Sequence, residues 1–273
     1  MRHKALCLLL VPFLLATACS RLTFVRPKGK MGPLSGEQVA QDYSVKDSPE
    51  VKRRQDQQLM LARSVQHLQA GDLVAAEKDA LAVLKLDAGS ADAETLLAVV
   101  ADRRGDQEQA GRRYRRAAEL APGQGAAQNN YGAWLCANGH AAEALVWFDR
   151  AMAAPGYASP ATAMANAGSC ALKTGQRERA ERDLRQALSL EPANAAALGA
   201  LAELEFQRGD FMRARAFVER RLAAAPATAE MLKLASQIEE NLGDKAAASR
   251  YVRQLRAEFP DAPDVNPRGS TGS

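Results

Sequence analysis

Six glycines set the beat of this chain: Gly71, Gly105, Gly139, Gly175, Gly209 and Gly243 fall 34, 34, 36, 34 and 34 residues apart. Five residues after each comes an alanine, namely Ala76, Ala110, Ala144, Ala180, Ala214 and Ala248. Seven residues before each stands a small residue: Ser64, Ala98, Gly132, Gly168, Ala202 and Ser236. Seventeen residues after the glycines, Pro122, Pro192, Pro226 and Pro260 recur; the first unit has Ala88 there and the third has Pro155 one place early. A unit this short cannot bury its own apolar face, so the repeats must stack to form a continuous core.

The spacing reads as a helix, a tight turn and a second helix. Glycine suits the reversal after the first helix, A, because it reaches positive φ without a Cβ penalty. The small residue on A and the alanine on the second helix, B, let the two helices approach closely. Proline cannot continue helix B and closes the unit. Between the helices, Tyr114, Phe148, Leu184, Val218 and Val252 serve as fillers, with Ala80 a weaker one in the first unit. Alanine is abundant and aromatic residues make up only 5% of the chain, which favours closely packed helices over strands. The pattern resembles the tetratricopeptide repeat. An all-α, right-handed superhelical solenoid of six such repeats is expected, at residues 57–90, 91–124, 125–160, 161–194, 195–228 and 229–262. The tail at 263–273 is expected to be disordered.

The first eighteen residues read differently. Arg2, His3 and Lys4 precede an apolar run over residues 5–15, and Ala16-Thr17-Ala18 leads into Cys19. That run is shorter than the roughly 20 residues a membrane-crossing helix needs. Leu15-Ala16-Thr17-Ala18-Cys19 resembles a bacterial lipobox, which implies a signal peptide over 1–18 and lipidation of Cys19. Multiple acyl chains make stable anchoring feasible. By resemblance to Gram-negative lipoprotein sorting, Ser20 after the cysteine implies delivery to the outer membrane, facing the periplasm. Residues 19–56, with Pro27, Gly29, Gly32, Pro33 and Gly36, read as a flexible tether spanning on the order of 30 Å. The net charge of +4 falls to +2 once Arg2 and Lys4 leave with the leader, too little to imply a polyanionic partner.

Chemistry is sparse. There is no nucleophile elbow, zinc-protease histidine motif or phosphate loop, so neither catalysis nor a small-molecule substrate is expected. His67 and His140 are isolated and no cysteine has a partner at ligand spacing, so neither a metal nor another cofactor is expected. In the run Arg112-Arg113-Tyr114-Arg115-Arg116, Tyr114 is an inward filler and the arginines a solvated face near Asp102, Asp106, Glu108 and Glu119, which argues against nucleic acid. Cys136 and Cys170 fall at the twelfth and tenth positions of successive A helices. An oxidising compartment would permit a bridge worth roughly 3.5 to 4 kcal/mol; the alternative is two free thiols acting as small core hydrophobes.

Binding is expected in the groove lined by the A helices, at the fifth, ninth and twelfth residues of each unit. In the first unit these are Leu61, Val65 and Leu68, an apolar strip suited to an amphipathic helix or extended apolar peptide unless the tether covers it. Later units offer mixed sets such as Glu203 and Phe206. Arg63 stands where an apolar packing residue is usual, so the first unit is expected to pack differently or splay.

Asn129-Asn130-Tyr131-Gly132 with Leu135-Cys136, the lengthened connection Pro155-Gly156-Tyr157-Ala158-Ser159-Pro160, and Asn166-Ala167-Gly168 with Cys170 form an asymmetric combination that generic repeats need not share. It resembles the PilW/PilF family of type IV pilus biogenesis lipoproteins. That resemblance implies an outer-membrane repeat lipoprotein without catalysis, acting as a pilotin for secretin subunits or as a pilus stability factor.

Overall fold

The computed structural model describes residues 47–262. Cys19, the leader, most of the expected tether and the 263–273 tail lie outside that range. Twelve α-helices and no strand occur among the described residues. They pair into six units: α1 (Pro49–Gln69) with α2 (Leu73–Leu86), α3 (Ala91–Arg103) with α4 (Gln107–Leu120), and α5 (Gly125–Ala137) with α6 (Ala141–Ala153). There follow α7 (Pro160–Lys173) with α8 (Arg177–Leu190), α9 (Ala195–Gln207) with α10 (Phe211–Ala224), and α11 (Ala229–Leu242) with α12 (Lys245–Glu258).

Every A-to-B reversal turns on its beat glycine, all six having φ between 72° and 85°. Four of these glycines precede an aspartate that caps the B helix: Asp72, Asp106, Asp210 and Asp244 accept from the backbone N–H three residues on, at 2.9 to 3.1 Å. The small residue of helix A lies against the filler of helix B. A Cβ on Gly168 would stand 2.5 Å from Leu184 Cγ, and one on Gly132 would stand 2.9 Å from a Phe148 ring carbon. In the first unit Ser64 Oγ instead donates 2.9 Å to the Ala76 carbonyl, satisfying a buried hydroxyl at the same crossing. Phe148, Leu184 and Val218 are all but inaccessible, whereas Val252, in the last described unit, is half-buried.

Successive A helices bring their backbones close together, whereas successive B helices do not and meet only through long side chains, as where Arg179 of α8 reaches Asp149 of α6 at 2.5 Å. The A helices therefore line the inner face of the stack and the B helices its outer face. The connection from 154 to 159 departs from the beat without breaking the stack. Tyr157 folds back onto Gly125 at the start of α5, where a Cβ would meet its ring at 2.6 Å.

One expectation changes. The first A helix begins at Pro49, eight residues before position 57, because Ser48 accepts from the Val51 N–H, Pro49 fits the first helical turn and Glu50 complements the helix dipole. Residues 49–56 are thus helix, not tether. Of the two outcomes expected from Arg63, the first unit packs differently and does not splay. Arg63 makes a two-pronged bond to Asp79 on α2, at 3.1 and 2.7 Å, so an ion pair joins the helices where an apolar contact was expected.

Candidate protein-binding groove

The first-unit strip does not hold together as a surface. Leu61 is half-buried and Val65 is 41% exposed, but Leu68 is only 6% exposed and packs with Ala76 and Val100 against Leu73, Leu96 and Val99. The twelfth position of the first unit lies where the next A helix crosses, so its side chain belongs to the joint between units one and two. Leu68 is corrected from groove to core. Leu61 and Val65 alone still reach the surface.

Two clefts lie against later A helices instead. The smaller, about 400 Å³, lies between units two and three and is lined by Asp102, Gln107, Tyr114, Asn130, Ala133 and Trp134, among others. Trp134 takes its place because Gly111 on α4 has no Cβ; one there would sit 2.3 Å from the indole. Trp134 Nε1 donates 3.2 Å to Gln107 Oε1. Burial first, then the charge of Asp102, push the Tyr114 phenol up to about 12, so it keeps its proton and remains a donor beside the cleft.

The larger, about 600 Å³, lies between α9 and α11 of units five and six. Phe206, Met231 and Leu234 give it apolar walls, and Glu203, Glu230, Lys233 and Gln237 a polar rim of both charges. Gly199 makes room for it: the Met231 methyl lies 3.1 Å from where a Cβ would be. Phe206 is held edge-on to Phe211 at 5.6 Å. The walls are fixed from behind. Leu198, Leu201 and Leu204 bury the far side of α9, and Asn194 and Thr228 cap α9 and α11. Arg215 of α10 pairs with both oxygens of the buried Glu239 on α11. The Arg221 guanidinium donates to the Ala225 and Pro226 carbonyls, holding the connection between them. The groove positions Glu203 and Phe206 were legible in the sequence; that Gly199 and Met231 would hollow a cleft between them was not, because it depends on two units meeting.

Cys136 and Cys170 are joined, Sγ to Sγ 2.16 Å with Cα atoms 5.9 Å apart, linking α5 to α7. Beside the bridge Asn166 Nδ2 donates 3.0 Å to Asn129 Oδ1, a second tie between the same helices. On the outer face three of the four arginines in the run are paired: Arg112 with Glu108, Arg115 with Glu119 at 2.8 Å, and Arg113 with Glu94 on α3 at 2.8 Å. The first two carboxylates were near neighbours in sequence; Glu94 comes from the fold. His67 sits 3.8 Å from the Asp79 carboxylate, and His140 precedes α6 without capping it. Among the described residues no group of three or more His, Cys, Asp or Glu is placed to hold a metal ion. Nor is any described helix long and apolar enough to cross a membrane.

Paired helices turning on a 34-residue glycine beat, stacked with one helix of each pair inside, make this chain an all-α solenoid of tetratricopeptide-type repeats. The tetratricopeptide repeat family matches residues 171–238. Among solved structures, PilW, a widely conserved type IV pilus biogenesis factor, is similar at 27% identity and a TM-score of 0.69, covering 77% of this chain and 97% of that one. PilF of Pseudomonas aeruginosa is similar in fold at 22% identity and a TM-score of 0.69, covering 78% of this chain and 96% of that one. A chain of the APC/C hetero-tetramer Cut9–Hcn1 shares the fold at 17% identity and a TM-score of 0.67 over 77% of this chain and 42% of that one. No curated protein sequence matches the chain.

Proposed function

We propose that this protein is a non-catalytic binding scaffold of type IV pilus biogenesis, held to the periplasmic face of the outer membrane by lipid on Cys19 and capturing a secretin subunit as a pilotin. The likeness to PilW carries this reading, because it runs over nearly the whole of that chain. The groove supplies a means. A cleft with Phe206, Met231 and Leu234 on its walls and a rim of both charges, Glu203, Glu230 and Lys233, suits an apolar segment presented by an extended or helical peptide.

Secretin multimers in envelopes from a strain lacking the protein test the role. Their loss, restored by the wild-type chain and not by Phe206→Glu, is the expected result. Normal secretin multimers with unstable fibres would move the protein to fibre stabilisation. Capture of wall synthases or outer-membrane assembly barrels alone, with secretin unaffected, would remove it from the pilus machine. Release from the membrane fraction on Cys19→Ala tests the anchor in the same strain.

A further inference from the structure

We infer that the cleft between units two and three is a binding site for a cationic side chain, an arginine guanidinium, presented by a segment of a partner protein. Its lining carries one negative charge and no positive one: Asp102 supplies a carboxylate, whereas no lysine, arginine or histidine lines the cleft. The cleft between units five and six, with Lys233 on its rim, has no such bias.

The groups around the cleft are held in place and left with bonds to make. Asp102 Oδ1 accepts from Gln107 Nε2 at 2.9 Å, and Gln107 Oε1 accepts from the Trp134 indole at 3.2 Å. One side chain thus fixes the carboxylate and the indole relative to each other. Asp102 has no ion-pair partner among the described residues, which leaves Oδ2 to accept. Tyr114 lines the cleft and is only 9% exposed, yet its hydroxyl has no hydrogen-bond partner among the described residues. A buried hydroxyl is ordinarily satisfied, so this one points to a polar group on a ligand. The Asn130 amide, on the same lining, has no partner among the described residues either.

Such a set selects a cation. Carboxylate, hydroxyl and amide oxygens all accept, and a guanidinium brings several N–H donors in one plane. The same plane stacks on an indole, whose ring quadrupole attracts the charge. Arg150 over Trp147, 4.5 Å from the ring centre, shows that pairing elsewhere in unit three. An acidic segment would set its carboxylate against Asp102, and a purely apolar one would leave the Tyr114 hydroxyl unpaired. The site stands apart from the pilotin reading, on which only the identity of the segment rests.

The test titrates the full chain, in detergent micelles and with nitrogen-15 in its tryptophans, with the peptide acetyl-Ala-Ala-Arg-Ala-Ala-amide. The indole N–H signals of Trp134 and Trp147 are followed by NMR and assigned with Trp134→Phe. A saturable shift of the Trp134 signal is expected, with that of Trp147 unmoved. Affinity should fall about tenfold in Asp102→Asn, severalfold in Tyr114→Phe, and with rising salt. Val146→Glu, at an exposed position on α6, should leave it unchanged. Citrulline keeps the shape of arginine without its charge, so equal affinity for the citrulline peptide would overturn the inference. So would a Trp134 signal that never moves, or one saturated by N,N'-diacetylchitobiose and not by the arginine peptide. Failure here is separable from failure of the pilotin reading. Arginine binding at Trp134, with secretin multimers intact in a strain lacking the protein, removes only the pilotin reading; loss of those multimers in that strain, without arginine binding, removes only the site.

Discussion

Where helix A crosses helix B, residue size is traded across the joint. Gly132 faces Phe148 and Gly168 faces Leu184, while Ala202 shares its unit with the smaller Val218 and Ser64 with Ala80. Gly168→Ala should therefore destabilise the protein although alanine is the better helix former. The new Cβ would meet Leu184 Cγ at 2.5 Å and the Ala180 carbonyl at 3.0 Å, with neither free to move into solvent. Overpacking costs about 1–3 kcal/mol and exceeds the propensity gain of roughly 1 kcal/mol. A thermal or urea midpoint should fall, and adding Leu184→Val should recover part of the loss. A double-mutant cycle with no coupling between the two sites would refute the size trade. This joint was legible in the sequence because its partners belong to one unit at fixed spacing. Leu68 was misread because its neighbours, Leu96 and Val99, come from the next unit, and the crossing angle that buries it is not written in the repeat.

The helices differ in how their first turns are finished. Ser48, Asp72, Ser90, Asp106, Asn194, Asp210, Thr228 and Asp244 cap eight of the twelve, whereas Gln124, His140, Ser159 and Gln176, the residues before α5, α6, α7 and α8, make no side-chain cap bond. Units three and four thus lack every cap that their neighbours have. Gln176→Asp would restore the Gly-Asp pair of the other turns and offer a carboxylate to the Arg179 N–H. It should stabilise by about 0.5–2 kcal/mol, read as a raised melting temperature, while Gln176→Ala should not. An equal rise for both variants would show that the missing cap is not the deficit. The same chemistry explains the early start of α1: Ser48-Pro49-Glu50 is a helix-start signature, visible in the sequence but lying outside the 34-residue beat.

In a stack where each unit leans only on its neighbours, stability is a sum of local terms, and a weak centre would divide the array. The bridge sits at that centre. Closing a loop of sequence separation 34 contributes roughly 3.5 to 4 kcal/mol on chain-entropy grounds. Four absent caps at about 1 kcal/mol each come to a similar size, so Cys136–Cys170 offsets what the turns of units three and four omit. The cysteines and the lengthened connection were legible as irregularities of one stretch. That the uncapped helices coincide with them was not, since the Ser159 hydroxyl that could have capped α7 is seen to miss only in three dimensions. Reduction should therefore act locally as well as globally. With dithiothreitol the melting temperature should drop by about 8–15 °C, at the 2–4 °C per kcal/mol usual for a domain of this size. Amide hydrogen exchange should rise chiefly in α5 to α8, and little in α1, α2, α11 and α12 beyond their own fraying as end units. The urea transition should broaden as the two flanks cease to unfold together. If exchange instead rises evenly from α1 to α12, the array melts as one unit and the bridge is an ordinary staple; a rise confined to the centre means that it joins two halves into one solenoid.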